Sequence, residues 1–246
     1  TKLIYALGAE CFIPPIPGAE KEGVIAIRRL EDTKKVAAML PDAEHAVVIG
    51  GGVLGLEAAW ELKKSGCEVT VLEAAPQLMG RQLDEAAGEM LQHISEQQGV
   101  TIHTGVSIAS VDGEESVTGV TLSDGRTFAA ELVIVSAGVR ANTALAKAAG
   151  VEVDRAVIVN SKMETNVPDI YACGDCVQYE GLNYAIWPEA SEQGKTAGAN
   201  AAGEETEYQT VPAALSFHGM RTALFAAGDN GKNPNLVNKT NAGSDT

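Results

Sequence analysis

The stretch HAVVIGGGVLGLEAAWELKKSGCEVTVLEAAP, residues 45–76, constrains this chain more than any other. It reads as an apolar strand, a turn of glycines, a helix and a second strand. Within it Gly50, Gly51, Gly52, Val53, Leu54 and Gly55 spell G-x-G-x-x-G. The pattern alone is weak, but a strand before it and a helix after it supply the context in which it has a mechanism. The first glycine permits a tight turn, Gly52 lets the main chain approach a pyrophosphate, and Gly55 lets the helix pack on the strand. The helix N-terminus then offers unpaired amides and a positive dipole end to phosphate. Glu73 closes the second strand, 23 positions after Gly50. An acidic residue there accepts from a ribose 2′-hydroxyl and repels a 2′-phosphate. No Lys or Arg follows before Arg81, so NAD is favoured over NADP.

The rest of the chain alternates strand-like and helix-like segments. KLIYALG (2–8) reads as a short buried strand, and FIPPIPG (12–18) is too rich in proline for regular structure. EDTKKVAAML (31–40) has a helical pattern with Asp32 as a cap and Pro41 after its end. LDEAAGEMLQHISEQQGV (83–100) is a second amphipathic helix, and residues 101–135 look like hairpins with a turn at Ser123-Asp124-Gly125. AELVIVSAG (130–138) and DIYACGD (169–175) read as strands, and PEASEQGKTAGANAAG (188–203) as a helix with Pro188 in its first turn. ALSFHGMRTALFAAGD (214–229) reads as two strands with a turn at Gly219, and the tail from Gly228 as loosely held.

Charge narrows the partners. The formal charge is −15 over 246 residues, which speaks against nucleic acid and against docking on anionic lipid. No apolar run approaches the roughly 20 residues of a membrane span. Four cysteines, Cys11, Cys67, Cys173 and Cys176, are too few for a disulfide framework, and a reducing, cytoplasmic setting fits them. The basic cluster Arg28, Arg29, Lys34 and Lys35 reads as a solvated face.

Cys173 and Cys176 flank Gly174 and Asp175, and C-x-x-C raises redox or zinc chemistry. Asp175 between the cysteines opposes a second negative charge, no helix evidently follows to stabilise a thiolate, and His45, His93, His103 and His218 are scattered. Both cysteines read better as buried small residues. His218 has no visible carboxylate partner and reads as structural or exposed. The Gly-Asp pair reads as a carboxylate at the carboxyl edge of a sheet, where open α/β folds bind ligands.

Three stretches in order, VVIGGGVLGLEAAWELKKSGCEVTVLE, VIVSAGVRANTALAKAAGVEVD and ETNVPDIYACGDC, resemble the FAD-dependent pyridine nucleotide-disulfide oxidoreductase superfamily. PQLMGRQLDEAAGEMLQ (76–92) is similar to the branch of NADH-rubredoxin reductases and nitrite reductase flavoproteins. The resemblance implies an α/β, Rossmann-like three-layer FAD/NAD(P)-binding fold with a parallel sheet and a β-meander, plus a remnant of the FAD domain. It implies a partial FAD domain at 1–42 and 165–210, an NAD domain at 43–164, and the start of an interface domain with a tail at 211–246. A first glycine fingerprint, which holds the ADP half of FAD in this family, would have preceded Thr1, so the chain reads as a fragment.

The resemblance also implies roles. Asp175 and Gly174 would meet the ribityl chain of FAD. Ala6 and Gly8 match the Ala-Thr-Gly stretch near the flavin nucleotide, with Leu7 in place of threonine. Glu189 lies in the first turn of a helix aimed at the flavin pyrimidine. Glu57 would face the nicotinamide side, and Gly138 would approach NAD by its backbone. Hydride would pass from NADH to FAD, and electrons onward to rubredoxin, another small redox protein or domain, a nitrite reductase centre or oxygen. No side chain is named as catalytic, no metal is implied, and a homo-oligomer is left open. The alternatives are an NAD-binding module without flavin and a thiol-disulfide enzyme.

Overall fold

The structure, a computed structural model, describes residues 1–210, 214–228 and 230. Their contacts divide them into one unit of residues 1–12 and 138–210 and another of residues 13–137, 214–228 and 230. The chain therefore crosses between units at 12/13, at 137/138 and between 210 and 214, whereas the sequence suggested borders at 42/43, 164/165 and 210/211. Pairing explains the shift. Val24–Ile25 joins the sheet of the glycine-rich turn, and Val139–Ala141 pairs with Ala9–Cys11.

The larger unit is built on five parallel strands in the order Val24–Ile25, Leu132–Val135, His45–Ile49, Glu68–Leu72, Val100–His103. The central strands are continuous apolar runs because both faces are covered. Val47, Val48, Val71, Leu132 and Val133 have no exposed surface. The helix Val53–Lys64 buries Gly55, Leu56, Ala59 and Leu62, a stripe at helical spacing. The helix Glu85–Gln97 begins at Asp84, whose side chain accepts from the Ala87 amide at 2.9 Å.

Three expectations change here. Residues 100–103 are not part of a hairpin but the fifth strand of the parallel sheet; the antiparallel meander is Ile108–Asp112, Gly119–Leu122 and Thr127–Ala129. Asp32 is not the N-cap of its helix, which spans Leu30–Met39. It lies at the third helical position and reaches back to the amides of Arg28 (3.0 Å) and Arg29 (2.8 Å). The C-terminal hairpin, Ala214–Gly219 with Thr222–Ala227, turns at Met220-Arg221 rather than Gly219. Both turn residues have positive φ, 50° and 54°, as the common two-residue hairpin turn requires. Gly219 is instead a packing glycine, since a Cβ there would lie 2.6 Å from the Phe217 ring. Phe217 and Met220 are fully buried among Leu56, Ala59 and Leu78.

The smaller unit pairs Leu3–Tyr5 with Ile170–Ala172 and Val157–Val159 with Val177–Tyr179, both parallel. The first strand was expected to be buried, but Leu3 and Ile4 are exposed and only Tyr5 is buried. Its ladder has one partner among the described residues. The helix Trp187–Ala202 starts with Pro188 in its first turn and ends at Gly203, φ +96°. Among the described residues no helix is long and apolar enough to cross a membrane. Apart from Asn230, the tail expected beyond Gly228 lies outside the described residues.

Candidate functional site

In the larger unit the strand order reverses around His45–Ile49, with Glu68–Leu72 on one side and Leu132–Val135 on the other. Ligands of open α/β sheets bind at the carboxyl edge of such a reversal. The glycine-rich turn sits there, each glycine with its own reason. Gly50 has φ +115°, and a Cβ on it would run into the Ser136 carbonyl. A Cβ on Gly51 would lie 2.6 Å from Leu78, and one on Gly55 would overlap the Gly50 carbonyl. Gly52 alone faces open space. So Gly50, Gly51 and Gly55 close the turn, and Gly52 leaves a bare main-chain surface. Val53 and Leu54 open the helix with Gly52 as its N-cap, so first-turn amides point outward from it.

Glu73 follows the second strand and is half-buried. One carboxylate oxygen accepts from the Gly51 amide at 2.5 Å, the other from the Ala75 amide at 2.6 Å. Each carboxylate oxygen has two acceptor sites, so this clamp orients the group while leaving capacity for ribose hydroxyls. Glu57, in the second turn of the helix, is half-buried; burial pushes its carboxyl above the usual range, and His218 works against the rise. His218 thus has a carboxylate neighbour that the sequence did not reveal, because the hairpin brings it beside the helix from 161 positions away.

In the smaller unit two turns leave the same end of a parallel strand pair. Tyr5 pairs with Ala172, and the Cys173 amide donates to the Tyr5 carbonyl at 2.9 Å. Ala6, Leu7 and Gly8 leave one strand; Cys173, Gly174 and Asp175 leave the other. Gly8 (φ +66°) faces open space, and a Cβ on Gly174 (φ +80°) would meet only the Ala190 side chain at 3.6 Å. Asp175 is half-buried on the short turn Gly174–Cys176. Gly138, exposed with φ +90°, accepts from the Phe12 amide at 2.8 Å.

Glu189 is placed differently from a ligand-facing group. It is 5% exposed and accepts from the Tyr208 hydroxyl. Burial, then Glu192, raises its carboxyl above the usual range. The cysteines are structural: Cys173 and Cys176 are buried, and burial raises both thiols. Cys176 donates to the Cys173 carbonyl at 3.2 Å. A buried thiol of raised pKa is a poor nucleophile, which argues against a thiol-disulfide enzyme built on Cys173 and Cys176. Among the described residues no group of three or more His, Cys, Asp or Glu could hold a metal ion.

Sequence reading missed the residues that hold these turns. The Asn142 amide donates to Gly8 O at 3.0 Å, and its Nδ2 to Leu7 O at 2.9 Å. Gln193 Oε1 accepts from the Gly174 amide at 2.9 Å. Asn183 Nδ2 donates to the carbonyls of Asp175 and Val177. No local pattern marks an amide that bonds to a distant main chain.

Residues 1–194 match the pyridine nucleotide-disulphide oxidoreductase family. The chain is 40% identical over 231 residues to a nitrite reductase [NAD(P)H] of Bacillus subtilis, covering 93% of this chain and 28% of that protein. An FAD-dependent pyridine nucleotide-disulphide oxidoreductase from Desulfovibrio vulgaris superposes with a TM-score of 0.83 at 34% identity, covering 93% of this chain and 60% of that one. An NAD-dependent persulfide reductase from A. fulgidus gives a TM-score of 0.90 at 30% identity, over 94% of this chain and 44% of that one. The chain thus spans less than two thirds of each of these proteins.

Proposed function

The chain belongs to the pyridine nucleotide-disulphide oxidoreductase family, and from that premise we propose that it carries the nucleotide sites of an FAD-dependent NADH oxidoreductase. The observation that supports this best is the clamped Glu73 beside the open main chain of Gly52 at the reversal of strand order. Gly50 to Gly55 and the first-turn amides would hold the pyrophosphate, and Glu73 the adenosine ribose. Gly138 would meet the dinucleotide by its backbone, and Glu57 would border its nicotinamide end. Ala6, Gly8, Gly174 and Asp175 would hold FAD, with Asp175 accepting from the ribityl chain. Glu189 would act from the first turn of its helix, through its bond to Tyr208. Bound FAD would supply a two-electron acceptor for NADH hydride and a donor for the next carrier. The protein's share is orientation and electrostatics.

The Bacillus subtilis relative favours a nitrite reductase centre as acceptor; rubredoxin or another small electron carrier is the competing choice. With a net charge of −15, an acidic carrier would need a local basic patch to dock. The exposed Arg28, Arg29, Lys34 and Lys35 are the candidate. A cytoplasmic setting belongs to the same reading. The second reading, an NAD-binding module without flavin, draws on the single G-x-G-x-x-G in the chain. One experiment separates them. The purified chain is mixed with excess FAD, desalted, and its visible spectrum recorded before and after anaerobic NADH. A retained flavin spectrum that bleaches supports the oxidoreductase; a colourless chain that still binds NADH sinks it.

A further inference from the structure

We propose that the carboxamides of Asn142 and Gln193 are positioning residues for flavin, holding the turns Leu7–Gly8 and Gly174–Asp175 ready before it binds. The proposal rests on the reading that these two turns meet FAD. The paired strands run in register up to Tyr5 and Ala172. The Cys173 amide on the Tyr5 carbonyl continues that pairing one step. Beyond it, each turn contains a glycine at positive φ, where the main chain has the widest choice of conformation.

Side chains restrict that choice. The Asn142 side chain donates from Nδ2 to Leu7 O, beside the main-chain bond from the Asn142 N–H to Gly8 O. Gln193 takes the Gly174 amide of the second turn. Gln193 is 3% exposed and belongs to a buried polar stripe of its helix with Glu189, Thr196 and Asn200. Every fourth or third residue of that inward face is polar, where apolar side chains would serve burial alone. The stripe is spent on main chain and loops. Asn200 Nδ2 donates to Lys162 O (3.0 Å) and Thr206 O (2.8 Å), and Glu189 receives the Tyr208 hydroxyl. A loop fixed before binding loses less entropy on binding, so these bonds would appear as flavin affinity.

The two amides act through opposite chemistry. Gln193 accepts, so glutamate can replace it. Asn142 donates to a carbonyl, so aspartate would set a carboxylate oxygen against that carbonyl. The experiment titrates the chain and its Gln193→Glu, Gln193→Met and Asn142→Asp variants with FAD, following flavin fluorescence. Hydrogen exchange of peptides covering 4–9 and 171–177 is measured alongside, with NADH affinity as a control. Expected are dissociation constants for FAD raised roughly tenfold in Gln193→Met and Asn142→Asp, with faster exchange in the turn concerned, and a change within about twofold in Gln193→Glu. NADH affinity should be unchanged throughout. Wild-type flavin binding with equal binding by Gln193→Met and Asn142→Asp overturns the inference and leaves the flavin reading standing. Gln193→Glu as weak as Gln193→Met also overturns it. A wild-type chain that takes up no FAD removes the flavin reading, and this inference with it. If Gln193→Met fails to fold, the less buried Asn142→Asp carries the same comparison.

Discussion

Glu73 holds its loop with one carboxylate, and the proposed reading gives that carboxylate a second job. Its bonds to the amides of Gly51 and Ala75 fix the loop after the second strand against the glycine turn, and in the proposed reading its remaining acceptor sites would take the ribose hydroxyls. Glu73→Ala should therefore weaken NADH binding by about tenfold or more, since hydrogen bonds to charged groups contribute about 1.5–3 kcal/mol. Its preference for NADH over NADPH should shrink as well; parallel titrations with both nucleotides check this. Glu189 gives a pH prediction. Its carboxyl is raised in the folded chain, chiefly by burial, so the folded state keeps that proton to a higher pH than the unfolded state. Stability from this group is then complete below the ordinary carboxylate range and is lost as pH rises through the raised value. Glu189→Gln retains an acceptor for Tyr208 and removes the titration. Melting curves at several pH values should show the variant gaining on the wild type as pH rises through that window and levelling off above it.

At the scale of elements, the glycine turn separates fold from binding. A Cβ at Gly55 overlaps the Gly50 carbonyl, which is main chain and cannot swing aside, whereas Gly52 faces open space. Gly55→Ala should cost about 1–3 kcal/mol of stability, the usual range for overpacking. Gly52→Ala should leave urea unfolding nearly unchanged and weaken dinucleotide binding; a matched pair of unfolding and NADH titrations reads both. The C-terminal hairpin offers a gain instead. Arg221 is exposed at φ 54°, a conformation that disfavours side chains by about 1–2 kcal/mol. Arg221→Gly should raise stability by about 0.5–1 kcal/mol, because glycine's own entropic cost offsets part of that relief. Met220, its neighbour in the turn, is fully buried and holds the turn in place.

Over the whole molecule, the cysteines report on both units. Cys67 lies in the core of the larger unit, Cys173 and Cys176 in that of the smaller, and burial raises all three thiols. Cys11 is half-buried. In native buffer a thiol reagent should modify Cys11 first, and the other three only in denaturant. Rapid native modification of Cys173 or Cys176 would contradict the packing described for the smaller unit.

What the sequence determined by itself was whatever depends on neighbours along the chain. The strand, glycine turn and helix of 45–64, the amphipathic helix at Glu85–Gln97 and the glycine-ended helix Trp187–Ala202 are all local patterns, and their physics is complete within a few residues. What only the tertiary structure decided was pairing across distance. Residues 101–103 read as the start of a hairpin region, and only the parallel register of Val100–His103 with Val69–Leu72 places them in the main sheet. Gly219 reads as a turn until the register of Ala214–Gly219 with Thr222–Ala227 pairs it with Thr222 and leaves Met220-Arg221 as the turn. Asn142 and Gln193 carry no sequence signal at all. A carboxamide can donate or accept, and which it does, and to which main chain, is chosen only once the fold delivers Leu7 and Gly174 to it.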